Sequence, residues 1–205
     1  MPDPKEILLR FIPPASFDIV TAWLTQSRAR LKITRERSSK YGDYTIPNGD
    51  TKFHRITINY NLNPYSFLIT LAHEVAHLKF YEKFNTLRDP HGENWKEEYR
   101  RLLLELNIAG IFPEDIQKAV AGYVNRIKAS ARADRELHMV LRRYDRPDSS
   151  VILLEQLPEG ALFSVDGGRI FRKGKKLRTW YSCTLEATKR TYRVNPMAEV
   201  TPIPG

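Results

Sequence analysis

The sequence holds a single cysteine, Cys183, among 205 residues. No intrachain disulfide can form, and a reducing compartment is the simplest expectation. No apolar run approaches the roughly 18 residues that span a bilayer, and the mean hydropathy is −0.47. The opening residues, MPDPKEILLRFIPP, lack the basic-then-apolar order of a secretory signal. A soluble, cytoplasmic, non-secreted protein is expected. Acids are scarce in one place. Within Arg169–Arg193 nine bases meet one acid, Glu186, a local excess of +8 in a chain of net charge +9. Such a run points to a polyanion such as nucleic acid. A solvated hairpin tip is the plainer alternative.

What is present divides at Arg146–Ser150, a short linker-like stretch, RPDSS. Before it the patterning is mostly helical. The segment SFDIVTAWLTQSRARL carries a stripe at Ile19, Ala22, Trp23 and Leu31, with Ser16 as its N-cap. Leu31–Thr34 reads as a strand. The turn-rich SSKYGDYTIPNGDT suits a hairpin leading into FHRITINY, which alternates with Ile56 and Ile58 on one face. Asn63–Pro64 is a helix start. The helix PYSFLITLAHEVAHLKFYEKF follows, with a buried stripe at Phe67, Leu68, Leu71, Val75 and Leu78. A second helix over Asn94–Asn107 uses Trp95, Tyr99, Leu102, Leu103 and Leu106 and stops at Gly110. Helices over 113–128 and beyond Ala133 complete this part. After the linker come short β-like runs. The fold class is therefore α+β, with helices and a small antiparallel sheet in residues 1–147 and a basic β module in residues 151–205.

The chemistry is concentrated in LAHEVAHL. Residues four apart share one helix face, so His73 and His77 can present two imidazoles to one metal ion. Glu74, turned about 100° away, is left to serve as a general base. Two ligands and a base make up the HExxH metalloprotease pattern. A helix that merely carries two core or solvated histidines is the bland alternative. A catalytic zinc needs a third protein ligand. His91, in the loop DPHGENW, is preferred because it precedes Gly92 and imidazole suits zinc. Glu97 and Glu98 are rivals. A metzincin extension is excluded by Phe80 and Lys83. Arg55, Tyr60 and Tyr99 are candidate oxyanion donors, and the strand Phe53–Tyr60 is a candidate edge for pairing with an extended substrate. His54 and His138 read as structural, and Cys183 as a buried apolar residue.

HRITINYNLNPYSFLITLAHEVAHL followed by DPHGENWK resembles the SprT-like zinc metalloprotease family, which includes Spartan, over about Leu31–Gly110. The resemblance implies a minimal zincin domain with one catalytic Zn2+ on His73, His77 and His91, and Glu74 as base. It also implies cleavage of protein substrates bound or crosslinked to DNA, single- or double-stranded, and a nucleoid association if the source is bacterial. Many members carry a four-cysteine zinc ribbon. With only Cys183 that site cannot form, so residues 151–205 are expected to be a zinc-free module resembling a degenerate ribbon. Its expected core is Phe163, Ile170, Phe171, Trp180, Tyr181 and Tyr192. Expected nucleic-acid contacts are Arg169, Arg172, Lys173, Lys175, Lys176, Arg178, Trp180, Lys189, Arg190 and Arg193. The competing class is a non-catalytic nucleic-acid-binding protein with a structural zinc.

Overall fold

The computed structural model describes residues 3–37, 40–49, 52–128, 134–145, 151–165 and 168–203. The expected linker at Arg146–Ser150 lies outside them. The chain divides into two compact units, Met1–Asp145 and Arg146–Gly205. Among the described residues no helix is long and apolar enough to cross a membrane.

The first unit runs α1 (Pro4–Leu8), α2 (Phe17–Gln26), β1 (Ala29–Thr34), β2 (Gly42–Thr45), β3 (His54–Asn59), α3 (Pro64–Phe84), α4 (Glu93–Ile108), α5 (Glu114–Tyr123) and α6 (Arg135–Arg142). The architecture is α+β. Helix α2 stops earlier than its apolar stripe suggests. Arg28 takes φ 46° and turns the chain, so Leu31 lies in β1 and not on the helix. Ser16 sits at the N-cap position, but its hydroxyl donates back to the Pro13 carbonyl at 2.6 Å and caps nothing.

The sheet order is β1-β3-β2. Strand β2 is antiparallel to β3, as a hairpin requires, while β1 is parallel to β3. The small sheet is thus mixed, which corrects the antiparallel expectation. The reason is the crossing chain between β1 and β2, which skips the central place and leaves it for β3. Buried Asn59, the last residue of β3, holds that crossing. Its Nδ2 donates to the carbonyls of Arg37 at 3.1 Å and Lys40 at 3.0 Å. Backbone acceptors that lose a ladder partner thereby gain a side-chain donor.

The partner registers put Leu31, Ile33, Tyr44, Ile56 and Ile58 on one sheet face. All five join the core that also contains α3. Helix α3 is buried on more than the one expected stripe. Ile69, Ala72, Ala76 and Phe80 are also inside. Its start is pinned by Asn63. The side-chain oxygen accepts from the N–H groups of Tyr65 and Ser66, and Nδ2 donates to Leu141 O of α6 at 3.0 Å. That satisfies two of the unpaired donors of the first turn.

The second unit contains β4 (Ile152–Leu153), β5 (Leu162–Val165), β6 (Arg169–Lys176), β7 (Tyr181–Leu185), β8 (Thr191–Val194) and β9 (Glu199–Ile203). They form one antiparallel sheet in the order β4-β9-β5-β6-β7-β8. Its core is Leu154, Leu157, Phe163, Phe171, Cys183, Leu185 and Val200. Phe163 and Phe171 are buried as expected, and Tyr181 packs at the margin. Ile170, Trp180 and Tyr192 are exposed instead. The period-2 pleat explains Ile170, because its neighbour Phe171 takes the inward side.

Candidate metal centre

His73 and His77 stand one turn apart on α3, with Nε2 atoms 3.1 Å from each other. Two neutral imidazoles at that distance can share only one hydrogen between the facing nitrogens. His91 comes back to them from the α3–α4 loop. Asp89 turns that loop at φ 51°, and the Gly92 N–H donates to Asp89 O at 3.0 Å. At Gly92, which opens α4, an added Cβ would run into the Asp89 carboxylate, so only glycine fits without a shift. The His91 ring lies 5.3 Å from that of His73 and 4.9 Å from that of His77. One ligand atom from each of the three lies within 4.8 Å of the other two.

Zinc takes imidazole nitrogens at about 2.0–2.1 Å, so in tetrahedral coordination they stand roughly 3.3 Å apart. The triad fits such an ion. The sharper sign is His91 Nε2, buried with no hydrogen-bond partner, because a buried polar atom left unpaired is costly. Glu97 and Glu98 do not join the group. Glu97 pairs with Arg100, while Glu98 pairs with Arg101 at 2.9 Å and Lys83 at 3.4 Å.

The three rings rest on Trp95 of α4, whose centroid is 4.7 Å from His73, 5.1 Å from His77 and 4.7 Å from His91. Trp95 is fully buried. Burial holds the imidazoles neutral. It pushes His73 well below its ordinary value, with His77 and His91 adding to the effect. His77 is lowered to about 4, by burial and then by His91. His91 is lowered by burial, with Asp89 pulling the other way. Neutral imidazole is the form that ligates a metal.

Glu74 is buried and pushed up to about 8, first by burial and then by Asp43, with Lys40 and Arg37 opposing. Strand β2 lies against it. At Gly42 an added Cβ would fall 2.5 Å from Glu74 Oε1 and 2.9 Å from Thr70 Cγ2, so only a glycine lets the strand come this close. The sequence alone reads Gly42 as a turn residue and gives Arg37 and Asn59 no role, whereas Gly42 opens strand β2. The one local hint is an asparagine directly after the Ile56–Ile58 alternation, at the end of β3.

Other expectations shift. Strand β3 is the central strand, paired on both sides, so it presents no edge for a substrate strand. The edges of this sheet are β1 and β2. Arg55 is exposed and, by its register with Arg30, lies on the sheet face opposite Ile56 and α3, so it is no oxyanion donor. Tyr99 is fully buried, its hydroxyl 3.4 Å from Ile69 O and its ring 5.5 Å from His73. It packs the site and is closed to a substrate. Tyr60 is exposed at the end of β3. His54 is held by the Tyr44 hydroxyl at 2.7 Å, and His138 is buried in α6.

In the second unit Lys173 departs from its expected role as a nucleic-acid contact. It is buried, and its ammonium donates to Leu154 O at 2.8 Å and to Leu157 O. It shares the inward side of β6 with Phe171, and its donors satisfy carbonyls at the two ends of the single helical turn Leu154–Gln156, those of its first residue Leu154 and its C-cap Leu157. Arg172 pairs with Glu186 at 2.8 Å, and Lys189 pairs with the same carboxylate. Arg169, Lys175, Lys176, Arg178, Trp180, Arg190 and Arg193 are exposed.

Residues 16–109 match the model of the SprT-like family. That segment, 94 of the 205 residues, is SprT-like. The matched segment contains every residue of the histidine triad, Glu74, Gly42 and Trp95. No curated protein and no solved structure matches the chain. The SprT-like segment ends one residue past α4, so α5, α6 and the second unit stand outside it.

Proposed function

We propose that this protein is a SprT-like, zinc-dependent endopeptidase with a zincin-like site, acting on proteins bound or crosslinked to DNA. The observation that carries the peptidase reading is the convergence of His73, His77 and His91 beside Glu74, with His91 Nε2 buried and unpaired. A zinc ion held by this triad would lower the pKa of a water and polarise a peptide carbonyl. Glu74 takes the proton of the attacking water on its carboxylate and hands it to the leaving amine. Trp95 keeps the imidazoles oriented and excludes water from their far side. The free edge of β2, which runs beside Glu74, aligns an extended substrate by strand addition.

Support for DNA comes from the resemblance to Spartan and its relatives, and from the exposed cations of the second unit other than Lys173. The comparison of that unit with a metal-free zinc ribbon is part of the same reading. Its support is the β6-β7-β8 meander around buried Cys183.

The test of the ligand set is metal analysis after dialysis. His91→Ala should lose the zinc that the wild type carries, and Glu97→Ala should keep it. The reverse pattern would remove His91 from the site.

A further inference from the structure

The outer face of the small sheet is where the first unit concentrates positive charge. Between Arg28 and Arg37 the sequence holds five bases and one acid, Glu36. The strand register sorts them. Arg30 and Arg55 are direct partners across β1 and β3, and Lys32 is partnered with Thr57. These positions alternate with Leu31, Ile33, Ile56 and Ile58, which face the core, so the three cations share the face turned away from α3. Arg30, Lys32 and Arg55 are all exposed. Among the described residues none of the three has an acidic partner. Arg37 adds a fourth charge, its guanidinium laid on the same face over Thr57 Oγ1 at 3.1 Å and Asn59 Oδ1 at 2.8 Å. The acid on this face, Asp43, is engaged by Lys40 at 2.6 Å.

Like charges placed directly opposite each other on a sheet are destabilising. The Arg30–Arg55 pair therefore costs stability that no acid among the described residues offsets, and a bound anion would relieve it. The surface is a sheet face with charges spread along and across strands. Spacings are about 4.8 Å between strands and roughly 6.7 Å between alternate residues. That suits a ligand carrying several phosphates in a row rather than one small anion. At one end Arg30 stacks 3.5 Å over the ring of Phe53, which is itself exposed. A cation on an aromatic platform is the arrangement that takes an unstacked base beside its phosphate.

We propose that the outer face of β1 and β3, centred on Arg30, Lys32 and Arg55, binds the phosphodiester backbone of nucleic acid. The choice of nucleic acid among polyanions rests on the proposed function; the charge arrangement does not. Nucleic acid held there would lie across the sheet from the histidine triad, and its attached protein would reach the site over the β2 edge.

The experiment uses the full zinc-loaded chain and a fluorescent single-stranded oligonucleotide titrated at several salt concentrations. Arg30→Gln, Lys32→Gln and Arg55→Gln are combined in one variant. Each neutralised phosphate contact contributes about 0.7 to the slope of log K against log salt for a single strand. The variant should therefore bind at least tenfold more weakly, with a slope shallower by about 2. Unchanged affinity and slope would overturn the proposal. So would transfer of the dependence to phosphatidylserine vesicles, with these residues needed for vesicle binding and not for the oligonucleotide. A measurement on the wild type stands apart from any folding defect in the variant. Oligonucleotide should shield the Lys32 amine from acylation severalfold while leaving exposed Lys118 unchanged, and equal labelling of Lys32 with and without it would count against the site. Cleavage of a denatured protein without DNA separates the two ideas. If the wild type cleaves nothing, the peptidase reading fails. If the variant cleaves normally and still binds DNA normally, this surface fails.

Discussion

Gly42 shows how little space surrounds the candidate base. A methyl group there would sit 2.5 Å from Glu74 Oε1 and 2.8 Å from its Cγ, inside van der Waals contact, so either β2 or the carboxyl must move. A displacement near 1 Å at a reacting group can cost about a hundredfold in rate. Gly42→Ala is therefore expected to keep its zinc and lose roughly ten- to a hundredfold in kcat. Equal loss of metal and activity would mean that the substitution damages the triad instead. At this scale the sequence displayed the ligand pair and the base, because four-residue spacing on a helix fixes a shared face. It hid Gly42, Arg37 and Asn59, whose roles arise only when residues far apart in the chain meet. Lys173 was misplaced because a basic run reads as solvated. Its alternation with Phe171 along β6 was the available sign that it points inward.

Among the elements, helices α3 and α4 were readable nearly to their ends, since their apolar positions recur at the helical period and Asn63–Pro64 marks the first start. The sheet was not. Its order depends on a crossover between β1 and β2 that no local pattern encodes, and this order moves the free edge from β3 to β2. Helix α6 offers a test of an element's anchoring. Asp134 caps it by accepting the Leu137 N–H at 3.2 Å and pairs with Arg126 at 2.8 Å. Burial alone would raise this carboxyl, but the Arg126 guanidinium, the Leu137 N–H and Lys128 outweigh it, and its pKa lies below the ordinary value. A carboxyl with a depressed folded pKa contributes stability that is complete above its unfolded pKa, about 3.9, and is lost as pH falls through the folded value. Asp134→Asn keeps a capping oxygen and removes the charge. The stability gap between wild type and Asp134→Asn, measured by urea unfolding, should hold steady from neutral pH to about 4 and close below that. A gap that widens on acidification would contradict the assignment.

Over the whole molecule, each unit has its own apolar core. The division near residue 146 was visible as a change of period from helical to β. The number of strands beyond it was not, because β9 returns to pair with β5 and β4 from the end of the chain. Separate cores predict separate unfolding. A metal that binds only the folded first unit stabilises only that unit. Calorimetry should show two transitions, and a chelator should lower the one belonging to residues 3–145 while leaving the other within about a degree. A single transition that shifts as one would contradict the independence of the cores. The most direct test of the central claim is zinc content and cleavage of a denatured protein, measured together on wild type and Glu74→Gln. The account predicts one zinc per chain in both, with cleavage lowered about 10²–10⁴-fold in the variant. Full activity in Glu74→Gln, with its zinc in place, would contradict it.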